Sequence, residues 1–196
     1  MKRWSATLVL MVALALPVVA TGAVPATSDL PGTSVYRLPA MLTDAQAHRF
    51  EWKSRRGLAQ IVSMFYSSCK LMCPLLIDSA KAIDADLTPD ERSRISVTLI
   101  SLDPKRDTPA VLARTGREHG LDAARWTLVQ PAPGDVRAIA GLLGIRYRAL
   151  ADGEFNHTTV LVLLDADGRI VARTENMGGK PDPVFLAAVR KTLAAH

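Results

Sequence analysis

Cys69 and Cys73 are the only two cysteines in the 196-residue chain, and they stand four positions apart in the run F-Y-S-S-C-K-L-M-C-P. At the head of a helix, side chains four apart share one face, with Cα atoms about 6 Å apart and so within disulfide range. A helix N-terminus also favours the thiolate over the thiol. Such a pair can be a disulfide, a reactive dithiol, or two soft ligands for a metal. A disulfide closing so short a loop removes little entropy from the unfolded chain, so a purely structural role explains the pair poorly. The C-x-x-C spacing of thioredoxin-type redox pairs is absent, and zinc generally wants four ligands. Two thiolates with one imidazole suit copper, because thiolate selects Cu(I) and imidazole accepts either oxidation state.

Of the four histidines, His157 is the best placed to complete that set. His48 lies in a lead-in segment, His119 at a helix C-terminus and His196 at the chain end. Met64 and Met72 are soft donors as well, but both are read as core packing.

The elements that must position these groups follow from hydrophobic period and turn residues. Residues 24–48, rich in Pro, Gly, Ser and Thr, read as a linker and lead-in loop. A short strand at 50–52 precedes the apolar, β-branched strand 58–66. Helix 71–87 follows and stops at Thr88-Pro89-Asp90. Strand 95–102 ends at Asp103-Pro104, and Asp107 or Thr108 caps a helix opening at Pro109 and closing at His119-Gly120. Then come strand 126–129, helix 134–143, strand 158–164, the turn D-A-D-G, strand 170–173 and helix 183–195. Alternating strands and helices argue an α/β, thioredoxin-like fold. Its mostly parallel central sheet carries an antiparallel edge hairpin, with helices on both faces. Ligands of such sheets collect beyond the carboxyl ends of the strands. Strand 58–66 delivers Cys69 and Cys73 there, and strand 95–102 delivers Asp103. The loop carrying Asn156 and His157 reaches the same edge if strand 158–164 runs antiparallel.

The bulk composition is ordinary for one globular domain, at 48% hydrophobic and 22% charged residues. A domain of this size buries enough surface to need no disulfide or metal for stability. The net charge of +5 is spread over scattered Lys and Arg, with no basic run and no aromatic-interleaved stripe, so nucleic acid is excluded as a partner. Met1-Lys2-Arg3 followed by the apolar stretch 6–20 and small residues at Ala20 and Ala23 reads as a signal peptide over residues 1–23. The stretch is shorter than the roughly 20 residues a membrane-spanning helix needs, although an uncleaved segment would anchor the protein. The expected organisation is signal peptide 1–23, lead-in 24–48 and thioredoxin-like domain 49–196, in a periplasmic or otherwise exported protein acting as a monomer.

Three segments together resemble the Sco/SenC family of copper-binding assembly proteins: residues 65–74 above, S-L-D-P-K-R-D-T-P at 101–109, and N-H-T-T-V-L-V-L-L-D-A-D-G at 156–168. They occur in the family's order, and the similarity spans about residues 35–195. The resemblance implies a copper ion held by Cys69, Cys73 and His157 in a thioredoxin-like domain outside the cytoplasmic membrane. It implies delivery of copper to, or reduction of, the copper site in cytochrome c oxidase subunit II. Asp103 matches the family's acidic residue near the metal, where it orients a ligand or meets the partner. Members often carry Pro directly after the first cysteine, where this chain has Lys70, and are commonly tethered by an N-terminal helix, where this chain has a cleavable-looking segment.

Two activities follow from these residues. A metallochaperone would hold copper at an exposed site and pass it on by ligand exchange. A thiol-disulfide oxidoreductase would attack a partner's disulfide with Cys69 and resolve it with Cys73, drawing on a thiol reductant protein. A peroxidase would need a Thr and Arg cluster around one thiolate, and none is seen.

Overall fold

A computed structural model describes residues 29–195. The expected signal peptide, the first residues of the lead-in and His196 lie outside them. In chain order a 3-10 turn (Val35–Arg37) precedes strands β1 (Met41–Asp44), β2 (Arg49–Glu51) and β3 (Ala59–Phe65), then helices α1 (Met72–Asp86) and α2 (Pro89–Ser93). Strand β4 (Ile95–Ser101), α3 (Pro109–Glu118), β5 (Trp126–Pro131) and α4 (Val136–Leu142) follow. The chain ends with β6 (Tyr147–Ala149), β7 (Phe155–His157), β8 (Leu161–Leu164), β9 (Ile170–Thr174) and α5 (Pro183–Ala194).

Seven strands form one sheet in the order β2-β1-β5-β4-β3-β8-β9, and β6 pairs with β7 in a separate ribbon. Strands β3, β4 and β5 are mutually parallel, and the flanking pairs are antiparallel. This is the α/β, thioredoxin-like arrangement expected, with the hairpin β8–β9 at one edge. Strands β3 and β8 are buried at every residue, so both faces of the sheet centre are covered. Helix α3 packs on β5 and β1, and α5 on β9.

The lead-in is the main correction. Of residues 24–48, the described part is built into the fold rather than being a linker: Val35, Tyr36, Ala40 and Leu42 are buried, and β1 pairs with β5. Its Pro and Gly content signalled a loop, but tertiary burial of its apolar residues overrode composition. Thr88 does not merely end α1. It caps α2 through a reciprocal Thr88–Glu91 capping box. The strand expected at 158–164 divides, because its first residues cross from the β6–β7 ribbon into the main sheet.

The Tyr36 ring ties the lead-in to the sheet. Gln60 Nε2 donates to the Tyr36 hydroxyl at 2.6 Å, and Thr98 Oγ1 donates to Gln60 Oε1 at 2.9 Å. The ring lies against Gly168 in the β8–β9 turn, where φ is +77° and an added Cβ would stand 2.5 Å from Tyr36 Cδ2. Left-handed backbone and overpacking together predict that Gly168→Ala destabilises the fold by about 2–4 kcal/mol in denaturant titration. Gly116→Ala, inside α3 with nothing within 4 Å of the new carbon, should instead stabilise by about 0.5–1 kcal/mol. Equal effects at the two glycines would contradict the anchored lead-in.

Candidate functional site

The parallel register pairs Phe65 with Ser101, so the loops after β3 and β4 leave the sheet side by side. The first loop turns tightly, with the Cys69 amide donating to the Tyr66 carbonyl at 3.2 Å. A buried carboxylate holds it there. Asp107 accepts from the Ser67 amide at 3.2 Å, from the Ser67 hydroxyl, and from the Ser101 hydroxyl at 2.5 Å. Burial pushes the Asp107 carboxyl above its ordinary range, and the serine donors work against that rise.

The acidic residue expected near the site, Asp103, contacts the ribbon rather than the cysteine loop. Its carboxylate pairs with Arg106, whose guanidinium reaches on to the Gly153 carbonyl in the β6–β7 turn. Asp103 therefore acts on the ribbon that carries His157, and Asp107 acts on the cysteine loop. Sequence reasoning treated Asp107 as an alternative helix cap, but Thr108 fills that role by accepting from the Val111 amide. The available signal was two acids four apart flanking a strand end that carries a serine.

The two thiols are free and unequal. Helix α1 begins at Met72, so Cys69 lies in the turn before it and does not share a helical face with Cys73 as the spacing predicted. The contact survives in another form: the Cys73 amide donates to Cys69 Sγ at 3.4 Å. Burial alone would raise the Cys69 pKa. It is outweighed by the amides of Cys73 and Leu71, the Cys73 thiol and the Tyr66 hydroxyl, and the net shift is downward. Cys73 is buried, and burial together with the charge of Cys69 pushes its thiol well up. The partly exposed sulfur is thus the more acidic of the two, and the buried one holds its proton more tightly.

His157 ends β7, opposite Tyr147 in the ribbon. Strand β8 runs antiparallel to β3, and the Ser63 hydroxyl donates to the Val160 carbonyl at 2.6 Å, which brings His157 to the cysteine edge as expected. The His157 Nδ1 lies 3.0 Å from the Thr158 carbonyl oxygen. A carbonyl can only accept, so Nδ1 carries the proton and Nε2 keeps its lone pair. Burial lowers the imidazole pKa and keeps the ring neutral. The Tyr66 ring stands between, 5.8 Å from the His157 ring and 5.2 Å from that of Phe155. Cys69, Tyr66, Met72, Phe155 and His157 line one open hollow of about 440 Å³. Met64 is core, as predicted, but Met72 is not: it stands on this hollow. Among the described residues no three His, Cys, Asp or Glu side chains are already gathered around one point. The donors fit a soft cation in kind, two sulfurs and an imidazole with Nε2 available: Cys69 and His157 line the opening, and Cys73 lies buried next to Cys69.

A profile of the SCO1/SenC family matches residues 31–194. The chain belongs to the SCO1/SenC family. No curated protein sequence matches it. Among solved structures, a candidate electron transfer protein from Aquifex aeolicus VF5 is 25% identical, with a TM-score of 0.68 over 83% of this chain and 91% of that one. ScoI of Arabidopsis thaliana, solved with copper bound, is 21% identical, with a TM-score of 0.64 over 81% and 98%. A SCO1/SenC family lipoprotein from Bacillus anthracis is 17% identical, with a TM-score of 0.69 over 78% and 91%. These likenesses carry the fold. No helix among the described residues of this SCO1/SenC chain is long and apolar enough to cross a membrane.

The inequality of the thiols is directly measurable. In reduced protein at neutral pH, iodoacetamide should alkylate Cys69 at least about tenfold faster than Cys73, since the thiolate is the nucleophile. A lowered pKa means the thiolate persists to lower pH, so the Cys69 rate should reach half its plateau below the ordinary 9.0. Tyr66→Phe removes one donor and should move that midpoint upward. Equal rates at both sulfurs, by peptide mass spectrometry, would contradict the assignment.

Proposed function

We propose that this protein is an exported copper carrier that binds the metal through Cys69, Cys73 and His157 and passes it to a copper-accepting membrane protein such as cytochrome c oxidase subunit II. The observation that carries this reading is that Cys69, whose neighbours make its thiol more acidic, and an imidazole with Nε2 unprotonated line one solvent-open hollow. Family membership and the copper-bound Arabidopsis relative support it. Thiolate and imidazole ligands select copper over hard cations, and an open rim allows ligand exchange with an acceptor. Cys69 is the first ligand. Cys73 must lose its proton to follow, a loss the cation's charge makes favourable. The β6–β7 ribbon then brings His157 onto the same ion, with the Asp103–Arg106–Gly153 chain steadying its turn. Export rests on the signal-like residues 1–23, and the Bacillus anthracis lipoprotein is consistent with it.

The unequal thiols favour a second activity at the same atoms. The Cys69 thiolate attacks one sulfur of a partner's disulfide, forming a mixed disulfide and expelling the partner's other sulfur as a thiolate that takes a proton. Cys73, deprotonated in turn, attacks Cys69 Sγ, so the partner leaves fully reduced and the Cys69–Cys73 pair is oxidised. A thiol reductant protein must then restore the pair.

Competition titration of reduced protein separates the two. Wild type should bind one copper ion with proton release, more tightly as pH rises. His157→Ala should weaken binding by about 10–100-fold or more while leaving the dithiol midpoint potential within about 30 mV. Cys69→Ser and Cys73→Ser should abolish both properties. Absence of copper uptake by wild type, with disulfide reduction intact, would leave only the reductase.

A further inference from the structure

We propose that Met72 supplies a thioether ligand to copper in its reduced state, biasing the site toward Cu(I); this rests on the copper reading above. Two methionines lie close to the cysteines in sequence, and the fold separates them. Met64 is fully buried within β3. Met72, in the first turn of α1 between the two cysteines, is 36% exposed and lines the hollow with Cys69 and His157. Among the described residues it belongs neither to the apolar core nor to the side chains packed against that core. Core packing therefore gives no reason for a long apolar side chain here, partly exposed and one residue from a buried ligand.

The chemistry of the group supplies a reason. A thioether is soft and neutral, binds Cu(I) well and Cu(II) weakly, and adds no charge to a site that already holds up to two thiolates. Its three rotatable bonds let the sulfur reach into the hollow without moving the helix. Cys69, Cys73 and His157 can serve either oxidation state, so a fourth, soft donor would decide between them. The same sulfur offers a stepping ligand during transfer, since it can leave without taking up a proton.

The test compares wild type, Met72→Leu and Leu75→Ala, each titrated separately with Cu(I) and Cu(II) against competing chelators, with the dithiol midpoint potential measured on the metal-free proteins. Leu keeps the volume of Met, and Leu75 is an exposed apolar residue of the same helix that does not line the hollow. Met72→Leu should lose about tenfold in Cu(I) affinity with Cu(II) affinity unchanged, lowering the bound Cu(II)/Cu(I) potential by about 59 mV, with the dithiol potential unmoved. Leu75→Ala should change neither affinity. Equal losses for both copper states, equal losses for both variants, or no change in Met72→Leu would each overturn the Met72 assignment and leave the copper carrier standing. Failure of wild type to bind either ion would overturn both.

Discussion

A carboxylate buried at the end of a sheet sets the geometry on which the site depends. Asp107 has almost no exposed surface, and its oxygens are taken by donors from two neighbouring loops, Ser67 beside the cysteines and Ser101 at the end of β4. Burying a carboxylate costs several kcal/mol unless its oxygens are satisfied, so the loop conformation and the burial of the charge stand or fall together. The parallel register of β3 and β4 brings those donors side by side, and the tight Tyr66–Cys69 turn follows from the same pinning. From that turn Cys69 Sγ meets the amide that opens α1.

The same arrangement divides the labour of the two sulfurs. Cys69 sits where amides at the head of a helix and a phenol favour its anion, and Cys73 sits where exclusion of water disfavours it. Tyr66 links this pair to His157, since its ring packs against the imidazole while its hydroxyl lies near the Cys69 sulfur and 3.3 Å from the Phe155 carbonyl. The imidazole belongs to a small two-stranded ribbon rather than to the main sheet. One side of the site is thus rigidly held, and the other hangs on a hairpin braced by Asp103 and Arg106. A carrier needs such an asymmetry, because a cage closed on all sides would hold its cargo.

Much of this was legible in the chain. Strands β3, β4 and β8, the helix starts at Pro109 and Pro183, and the D-A-D-G turn follow from apolar runs and turn residues. The meeting of Cys69 and His157 at one edge followed from strand order. What escaped was set by tertiary contact. Residues 35–44 look like a loop until Tyr36 is seen wedged between Gly168 and Gln60. The β6–β7 ribbon is too short for periodicity to register. In S-L-D-P-K-R-D-T-P the sequence points to Asp103 as the acid at the site and to Asp107 as a helix cap, and only burial shows that Asp107 clamps the cysteine loop while Asp103 braces the hairpin. Cys69 was placed on the helix because a four-residue spacing fits one turn, whereas the Asp107-pinned turn holds it just outside.

The central claim is that both sulfurs and the imidazole bind one and the same ion. X-ray absorption spectroscopy of the protein loaded with one equivalent of Cu(II) tests it most directly. The account predicts sulfur and imidazole scattering around a single copper in wild type, with the imidazole contribution lost in His157→Ala and the sulfur contribution lost in the double cysteine variant. Copper surrounded only by oxygen and nitrogen in wild type, or an imidazole signal unchanged by His157→Ala, would contradict it.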